Sequence, residues 1–121
     1  MKPTVAILGA SADRTKFGNK SVRAHVASGY EVYPVNPKGG EIEGLTVYQS
    51  LAEIPVPLKR ISVYLPPAIG IKALEEVKAK GCEELWLNPG SDAPEVIAKA
   101  IELGLDPIVA CSIIAIGEMP D

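Results

Sequence analysis

The sequence predicts an α/β fold: a Rossmann-like, doubly wound parallel sheet of five strands in the order 3-2-1-4-5. Short continuous apolar runs such as residues 4–8 recur along the chain, and such runs are typical of strands that helices cover on both faces. Most of these runs alternate with stretches whose apolar residues recur at helical spacing, and this alternation builds a parallel sheet. The length of 121 residues fits one domain, so we expect residues 1–121 to form a single unit.

Each predicted strand is a short run bounded by turn residues. The five strands span residues 4–8, 31–35, 61–65, 84–87 and 107–110. Pro34 cannot donate to a sheet ladder, which predicts that the second strand frays or lies near an edge of the sheet. The connection from residue 36 to residue 60 is irregular, and residues 45–48 within it are expected to form a further edge strand.

The predicted helices lie between the strands and end at glycines. Val22 and Val26 are four residues apart and indicate the apolar face of the first helix. The second helix is predicted over residues 69–80. Asp92 and Glu95 have the spacing of a capping box, which predicts where the third helix begins.

The composition argues against several classes of function. A net charge of −3 argues against a nucleic-acid-binding surface, and no apolar run approaches the roughly 18 residues that span a bilayer. The apolar run after Lys2 is shorter than the roughly 7–15 apolar residues of a secretory leader. We therefore expect a cytoplasmic protein in which Cys82 and Cys111 are reduced thiols. A single histidine, His25, and the absence of a paired-cysteine motif argue against a metal site.

A ligand site is expected at the carboxyl ends of the strands, where the strand order of such a sheet reverses. Gly9, Ala10 and Ser11 form the turn after the first strand, where a glycine lets a phosphate approach the backbone. Arg14 and Lys16 follow in the same loop and would place two cations beside that phosphate. The alternative interpretation is an ordinary strand–helix turn with a solvated loop.

The end of the second strand bears on the identity of the ligand. An NAD site has an acidic residue at this position, whereas this chain has Asn36, followed by Lys38. An amide and an ammonium group tolerate or attract a phosphorylated ribose, so we expect an adenosine nucleotide with an extra ribose phosphate. NADP and coenzyme A both satisfy this expectation. The alternative is that the segment after the second strand is an ordinary turn with no role in binding.

Several segments of the chain resemble one known family. Residues 5–11, Lys16 with Gly18, and above all residues 29–37 (Gly-Tyr-Glu-Val-Tyr-Pro-Val-Asn-Pro) resemble the stand-alone CoA-binding domain. This family is related to the CoA-binding domain of succinyl-CoA synthetase alpha subunits and of acyl-CoA synthetases. The chain departs from the family pattern at Asn88 and at residues 108–110. These departures do not affect the residues expected to bind the phosphates of the ligand.

The resemblance implies a role for each part of the expected site. It implies that Gly9, Ala10, Ser11 and the loop through Arg14, Lys16 and Gly18 hold phosphates. It implies that Asn36, Pro37 and Lys38 flank the adenosine and its 3′-phosphate. It implies that Leu65, Pro66 and Pro67 line the path of the pantetheine.

From these observations we expect a small non-catalytic module that binds coenzyme A or an acyl-CoA, in a sensing, carrying or regulatory role. No catalytic residue is assigned, and Cys111 and His25 are not expected to form a catalytic pair. The alternatives are an NADP-binding oxidoreductase-like domain and a structural domain that has lost its ligand. We expect no nucleic-acid or membrane partner, and some self-association as a homodimer, because so small a cleft leaves pantetheine partly uncovered.

Overall fold

The computed structural model describes residues 2–118 and consists of one parallel sheet covered by helices on both faces. Its elements in chain order are β1 (Thr4–Leu8), α1 (Phe17–Ala27), β2 (Glu31–Val35), β3 (Glu41–Ile42), β4 (Leu45–Thr46), β5 (Arg60–Val63), α2 (Pro67–Lys80), β6 (Glu84–Leu87), α3 (Pro94–Glu102), β7 (Pro107–Val109) and α4 (Ser112–Ala115). One turn of 3-10 helix, Leu51–Glu53, precedes β5. No helix within residues 2–118 is long and apolar enough to cross a membrane.

The main sheet has five parallel strands in the spatial order β2-β1-β5-β6-β7, which confirms the predicted fold class. Counted in chain order, these strands run 2-1-3-4-5, so the order along the sheet differs from the predicted 3-2-1-4-5. The reason lies at the outer edge of β2. There the chain forms the antiparallel β3–β4 hairpin, and Tyr48, just after the hairpin, makes an isolated parallel bridge to Val35 of β2. Pro34 offers no N–H to a further strand, and β5 pairs with the free side of β1 instead.

The two faces of the sheet have separate apolar layers because successive strand side chains point in opposite directions. In β1, Val5 and Ile7 pack with Val22 of α1. Ala6 and Leu8 point to the other face and join the layer under α2 and α3. The β1 residues from Val5 to Leu8 are therefore apolar without interruption, as a doubly covered strand requires.

Prolines determine where two helices begin. α2 begins at Pro67, two residues before the predicted start, because proline suits the first helical position and needs no partner for a backbone N–H. α3 begins at Pro94 with Ala93 as its N-cap, so the predicted capping box is wrong. The Asp92 carboxylate accepts instead from the N–H of Gly90 at 3.2 Å. Val26, predicted to face the core, is 50% exposed, since the buried face of α1 runs through Val22 and His25.

A partly buried ionic cluster lies at the amino ends of β5 and β6. The Arg60 guanidinium pairs with the Glu84 carboxylate at 2.9 Å and lies over the Trp86 ring. Arg60 also lies 3.4 Å from Nε2 of the fully buried His25, whose Nδ1 bonds the Ser21 carbonyl at 2.8 Å. Burial, with the charge of Arg60 acting in the same direction, lowers the pKa of His25 to about 4. His25 is therefore a neutral core residue at neutral pH.

Candidate functional site

A cleft of about 390 Å³ opens at the carboxyl ends of β1, β5 and β6, the edge of the sheet at which a ligand was expected. It is lined by Gly9, Ser11, Lys16, Phe17, Gly18, Tyr64, Leu65, Pro66, Pro89, Gly90 and Ser91. Six of the residues predicted from the sequence therefore line one cleft, namely Gly9, Ser11, Lys16, Gly18, Leu65 and Pro66. The segment 89–91 after β6 was not among the predicted site residues, and it forms part of the wall.

Two glycines allow backbone segments to come into close contact at the wall of the cleft. Gly9 has φ +84°, and a Cβ there would come closer than 3.0 Å to the Tyr64 carbonyl oxygen. A Cβ on Gly18 would overlap the Gly9 carbonyl oxygen in the same way. The ends of β1 and β5 and the start of α1 therefore meet backbone to backbone, which no residue with a side chain would permit.

The start of α1 is the part of the cleft best suited to an anion. No side chain caps this helix at Lys16, and its first two residues, Phe17 and Gly18, line the cleft. Backbone N–H groups of a first helical turn have no partner within the helix and favour negative charge. The exposed Lys16 adds a cation at the same place.

Ala10 does not take part in the cleft as the sequence suggested. Its side chain is 1% exposed and packs in the apolar layer with Val5 and Ile7. The N–H groups of Gly9 and Ala10 both donate to the Val35 carbonyl at 3.3 Å, so these donors hold β1 against β2. Available anion donors therefore begin at Ser11 and at the start of α1.

Arg14 and Pro67 also stand apart from the cleft lining. The Arg14 guanidinium pairs with the Glu43 carboxylate at 3.5 Å, and its side chain is 66% exposed. Glu43 also accepts from the amide of Asn19 at 3.1 Å, so Arg14 belongs to a contact between the loop and the β3–β4 hairpin. Pro67 is the first residue of α2, and Pro66, which lines the cleft, is its N-cap.

A second cavity of about 250 Å³ lies beside the cleft, at the ends of β1 and β2, and shares Gly9 and Leu65 with it. Its wall is mainly apolar: Leu8, Gly9, Val35, Pro37, Gln49, Ser50, Leu51, Leu65, Ile69, Ala73 and Glu76. Of the predicted site residues, Pro37 lines this cavity. Gln49 and Ser50 were not predicted as site residues.

Asn36 joins the loops on either side of the second cavity. Its amide nitrogen donates to the Ala10 carbonyl, and its amide oxygen accepts from the N–H of Lys38, both at 2.8 Å. The Gln49 side chain adds a bond to the Pro37 carbonyl at 3.1 Å. These bonds hold the loop that carries the exposed Lys38 beside the cavity. Asn36 therefore positions the loop with both ends of its amide.

A third cavity, of about 210 Å³, continues the cleft on the opposite side from the second. It is lined by Phe17, Tyr64, Pro89, Cys111 and Ile114. Burial raises the pKa of the Tyr64 phenol, and its hydroxyl lies 3.1 Å from Oγ of Ser112. Asn88, fully buried beneath this wall, accepts from the N–H of Ser112 at 2.8 Å and donates to Oγ of Ser62 at 2.8 Å.

Cys111 and His25 lie at opposite ends of the sheet. Cys111 directly precedes α4, beyond the carboxyl end of β7, and lines the third cavity. His25 contacts Ser21 and Arg60 at the amino end of β5. His25 is therefore not placed to act as a base for the Cys111 thiol.

A family model described as the CoA binding domain matches residues 3–117 of the chain. This chain belongs to the CoA binding domain family. The resemblance identified in the sequence is thus confirmed, and the match covers every element of the sheet.

Curated relatives contain this domain within longer proteins. The alpha subunit of ADP-forming acetate–CoA ligase I from Pyrococcus furiosus is 39% identical over 84 residues, which are 64% of this chain and 18% of that subunit. The ADP-forming acetate–CoA ligase of Methanocaldococcus jannaschii is 32% identical over 78 residues, 64% of this chain and 11% of the ligase. The chain therefore spans less than a fifth of the length of these relatives.

Solved structures of similar size share the whole fold. One from Thermus thermophilus, called cell-free ID.343, superimposes with a TM-score of 0.82 at 32% identity over 93% of this chain and 87% of that one. A hypothetical protein from Pyrococcus horikoshii OT3 has a TM-score of 0.82 at 30% identity over 91% of this chain and 78% of that one.

Proposed function

We propose that this chain binds coenzyme A, or an acyl-CoA, across the second cavity and the central cleft at the carboxyl edge of its sheet, as a non-catalytic module. The observation that carries this proposal is the juxtaposition of two different environments within a domain of this family. One is the apolar second cavity beside the Lys38 loop, and the other is the uncapped start of α1 beside Lys16. A purine with a phosphorylated ribose fits the first, and a diphosphate fits the second.

The fit can be followed along the ligand. The adenine would occupy the second cavity between Pro37 and Leu51, with the 3′-phosphate reaching Lys38 at its rim. The diphosphate would accept hydrogen bonds from the start of α1 and the charge of Lys16. The pantetheine would then run past Leu65 and Pro66 towards Tyr64 and Pro89 in the wall of the cleft.

The positions of the polar groups support a binding role over a catalytic one. Asn36 and Asn88 both have their amides engaged by protein groups, so each acts in shaping the site. Cys111 has its would-be partner His25 at the far end of the sheet. The relatives' ligase activity belongs to proteins of which this chain spans less than a fifth, and we propose that CoA binding is the part this domain contributes.

Thermal unfolding with four nucleotides tests the proposal. A ligand that binds only the folded state adds about 2.7 kcal/mol at 100 times its Kd, which corresponds to a rise of roughly 10 °C in Tm for a domain of this size. We expect coenzyme A to stabilise the protein more than dephospho-CoA and more than NAD. Stabilisation by NADP alone would instead support the oxidoreductase-like alternative, and no shift with any of the four would support a domain without a ligand.

Reversing one charge tests the placement of the ribose phosphate. Lys38→Glu should weaken coenzyme A about tenfold and dephospho-CoA much less, because only the former carries the 3′-phosphate. Lys2→Glu is the matched control, since Lys2 is an exposed lysine before the amino end of β1. Isothermal titration measures both Kd values. An equal loss for the two ligands in Lys38→Glu would contradict the placement.

A further inference from the structure

The third cavity has no assigned occupant, and its position relative to the other two suggests one. The second cavity joins the central cleft at Gly9 and Leu65. The third joins the cleft at Phe17, Tyr64 and Pro89, on its other side. A coenzyme A molecule with its adenosine in the second cavity and its diphosphate at α1 therefore directs its thiol towards the third.

The lining of the third cavity is apolar. Phe17, Pro89 and Ile114 contribute rings and an aliphatic chain, and none of the lining residues that the structure describes carries a charge. The Tyr64 hydroxyl is held by Ser112 at 3.1 Å, so it is already paired within the protein. Lys20 lies with Nζ 4.8 Å from the centroid of the Phe17 ring, but it does not line the cavity.

We propose that the third cavity is a subsite for an uncharged aliphatic acyl group carried as a thioester on coenzyme A. This inference rests on the proposed function, because it requires the CoA thiol to arrive beside Tyr64 and Pro89. Phe17 and Ile114 are 50% and 63% exposed, and an acyl chain laid between them would cover apolar surface that solvent now contacts. A terminal carboxylate in the same place would lose hydration without gaining a cation.

The volume of the cavity limits the length of the chain. About 210 Å³ corresponds to the space of roughly seven water-sized groups, given about 30 Å³ for each. An acyl group of up to about six carbons with its carbonyl oxygen fills this space. Longer chains extend into solvent past Ile114, which lies at the rim on α4.

A series of thioesters tests this subsite with the unmodified chain. Isothermal titration compares coenzyme A with acetyl-, butyryl-, hexanoyl-, dodecanoyl- and succinyl-CoA. We expect the affinity to rise up to about fourfold per methylene as far as hexanoyl and then to level off. Succinyl-CoA, which matches butyryl-CoA in chain length, should bind at least tenfold more weakly than butyryl-CoA. Equal affinity for all acyl-CoAs, or a preference for succinyl-CoA, would overturn the proposal.

A pair of isoleucines provides the matched variants. Ile114 and Ile101 are 63% and 62% exposed on different helices, and only Ile114 lines the cavity, so both can be replaced at little cost to folding. Ile114→Asp should remove the gain with chain length and leave the affinity for free coenzyme A unchanged. Ile101→Asp should leave the whole series unchanged. A chain-length series that survives Ile114→Asp would refute the subsite.

Two further readouts separate this proposal from its neighbours. If coenzyme A itself fails to bind, the proposed function fails. If coenzyme A binds and the chain-length gain is missing, only the subsite fails. Analytical ultracentrifugation tests whether the apolar surface around Ile114 is instead a contact between two copies of the chain. If Ile114→Asp converts a dimer to a monomer and leaves the chain-length series intact, the surface is a dimer contact and the proposal is overturned.

Discussion

Gly18→Ala tests the backbone packing on which the cleft depends. In most helices this change stabilises a protein by about 1 kcal/mol, because alanine loses less conformational entropy than glycine on folding. At Gly18 the new methyl group would lie closer than 3.0 Å to the Gly9 carbonyl oxygen, which is backbone and cannot rotate away. The start of α1 and the end of β1 would therefore have to separate.

The expected magnitude follows from these opposing effects. Overpacking at a site that must move costs about 1–3 kcal/mol, which exceeds the gain from helix propensity. We expect Gly18→Ala to be about 1–2 kcal/mol less stable than the wild type. Gly70, a buried glycine inside α2, is the matched control, because a Cβ there would meet its nearest neighbours at 4.0 Å, an ordinary contact. Gly70→Ala should be about 1 kcal/mol more stable.

Urea unfolding of the two variants and the wild type measures these free energies directly. Isothermal titration with coenzyme A adds a functional readout, because separating α1 from β1 displaces the N–H groups proposed to bind the diphosphate. We expect at least a tenfold loss of affinity in Gly18→Ala and none in Gly70→Ala. A Gly18→Ala variant as stable as Gly70→Ala, with unchanged affinity, would refute the reasoning about close backbone contact.

Three other side chains give sharp expectations. The pKa of His25 is near 6.5 in the unfolded chain and about 4 in the folded chain. The free energy of unfolding should therefore fall by about 3 kcal/mol as the pH is lowered from 6.5 to 4, because the unfolded chain binds the proton more tightly. Urea unfolding between pH 7 and pH 4 should show this loss in the wild type and a smaller loss in His25→Gln. Asn88→Ala should cost about 2–4 kcal/mol, since it leaves the buried N–H of Ser112 unpaired, and retention of wild-type Tm would contradict this. Arg14→Ala should change the Kd for coenzyme A less than twofold, because Arg14 pairs with Glu43. A large loss of affinity would instead indicate that Arg14 contacts the ligand.

The elements themselves were predictable because their signals are local. The run from Val5 to Leu8 is apolar at four successive positions, which is typical of a doubly covered strand, and the structure has β1 at those residues. The glycine at residue 81 correctly predicted the end of α2, where it adopts φ +77°. The start of α3 was misassigned, because Asp92 and Glu95 have the spacing of a capping box while Pro94 already satisfies the first helical position.

The sequence predicted the location of the candidate site but not which contacts each of its residues makes. Gly9, Lys16 and Pro66 were expected at one edge of the sheet and do line one cleft, because parallel strands bring their carboxyl ends together. The engagement of Asn36 by Ala10 could not be predicted, since an amide at a strand end can bond either protein or ligand and only the neighbouring loop decides.

The amino-acid sequence alone therefore determined the alternation of strands and helices, the parallel sheet and the edge at which the cleft opens. Apolar periodicity and turn residues act over a few residues, and helical crossovers between consecutive strands make those strands parallel. Only the tertiary structure decided the order of the strands, since the pairing of β5 with β1 depends on what the hairpin leaves free at the edge of β2. It also decided which polar side chains are committed within the protein and which apolar cavity continues the cleft, because both depend on contacts between segments far apart in the chain.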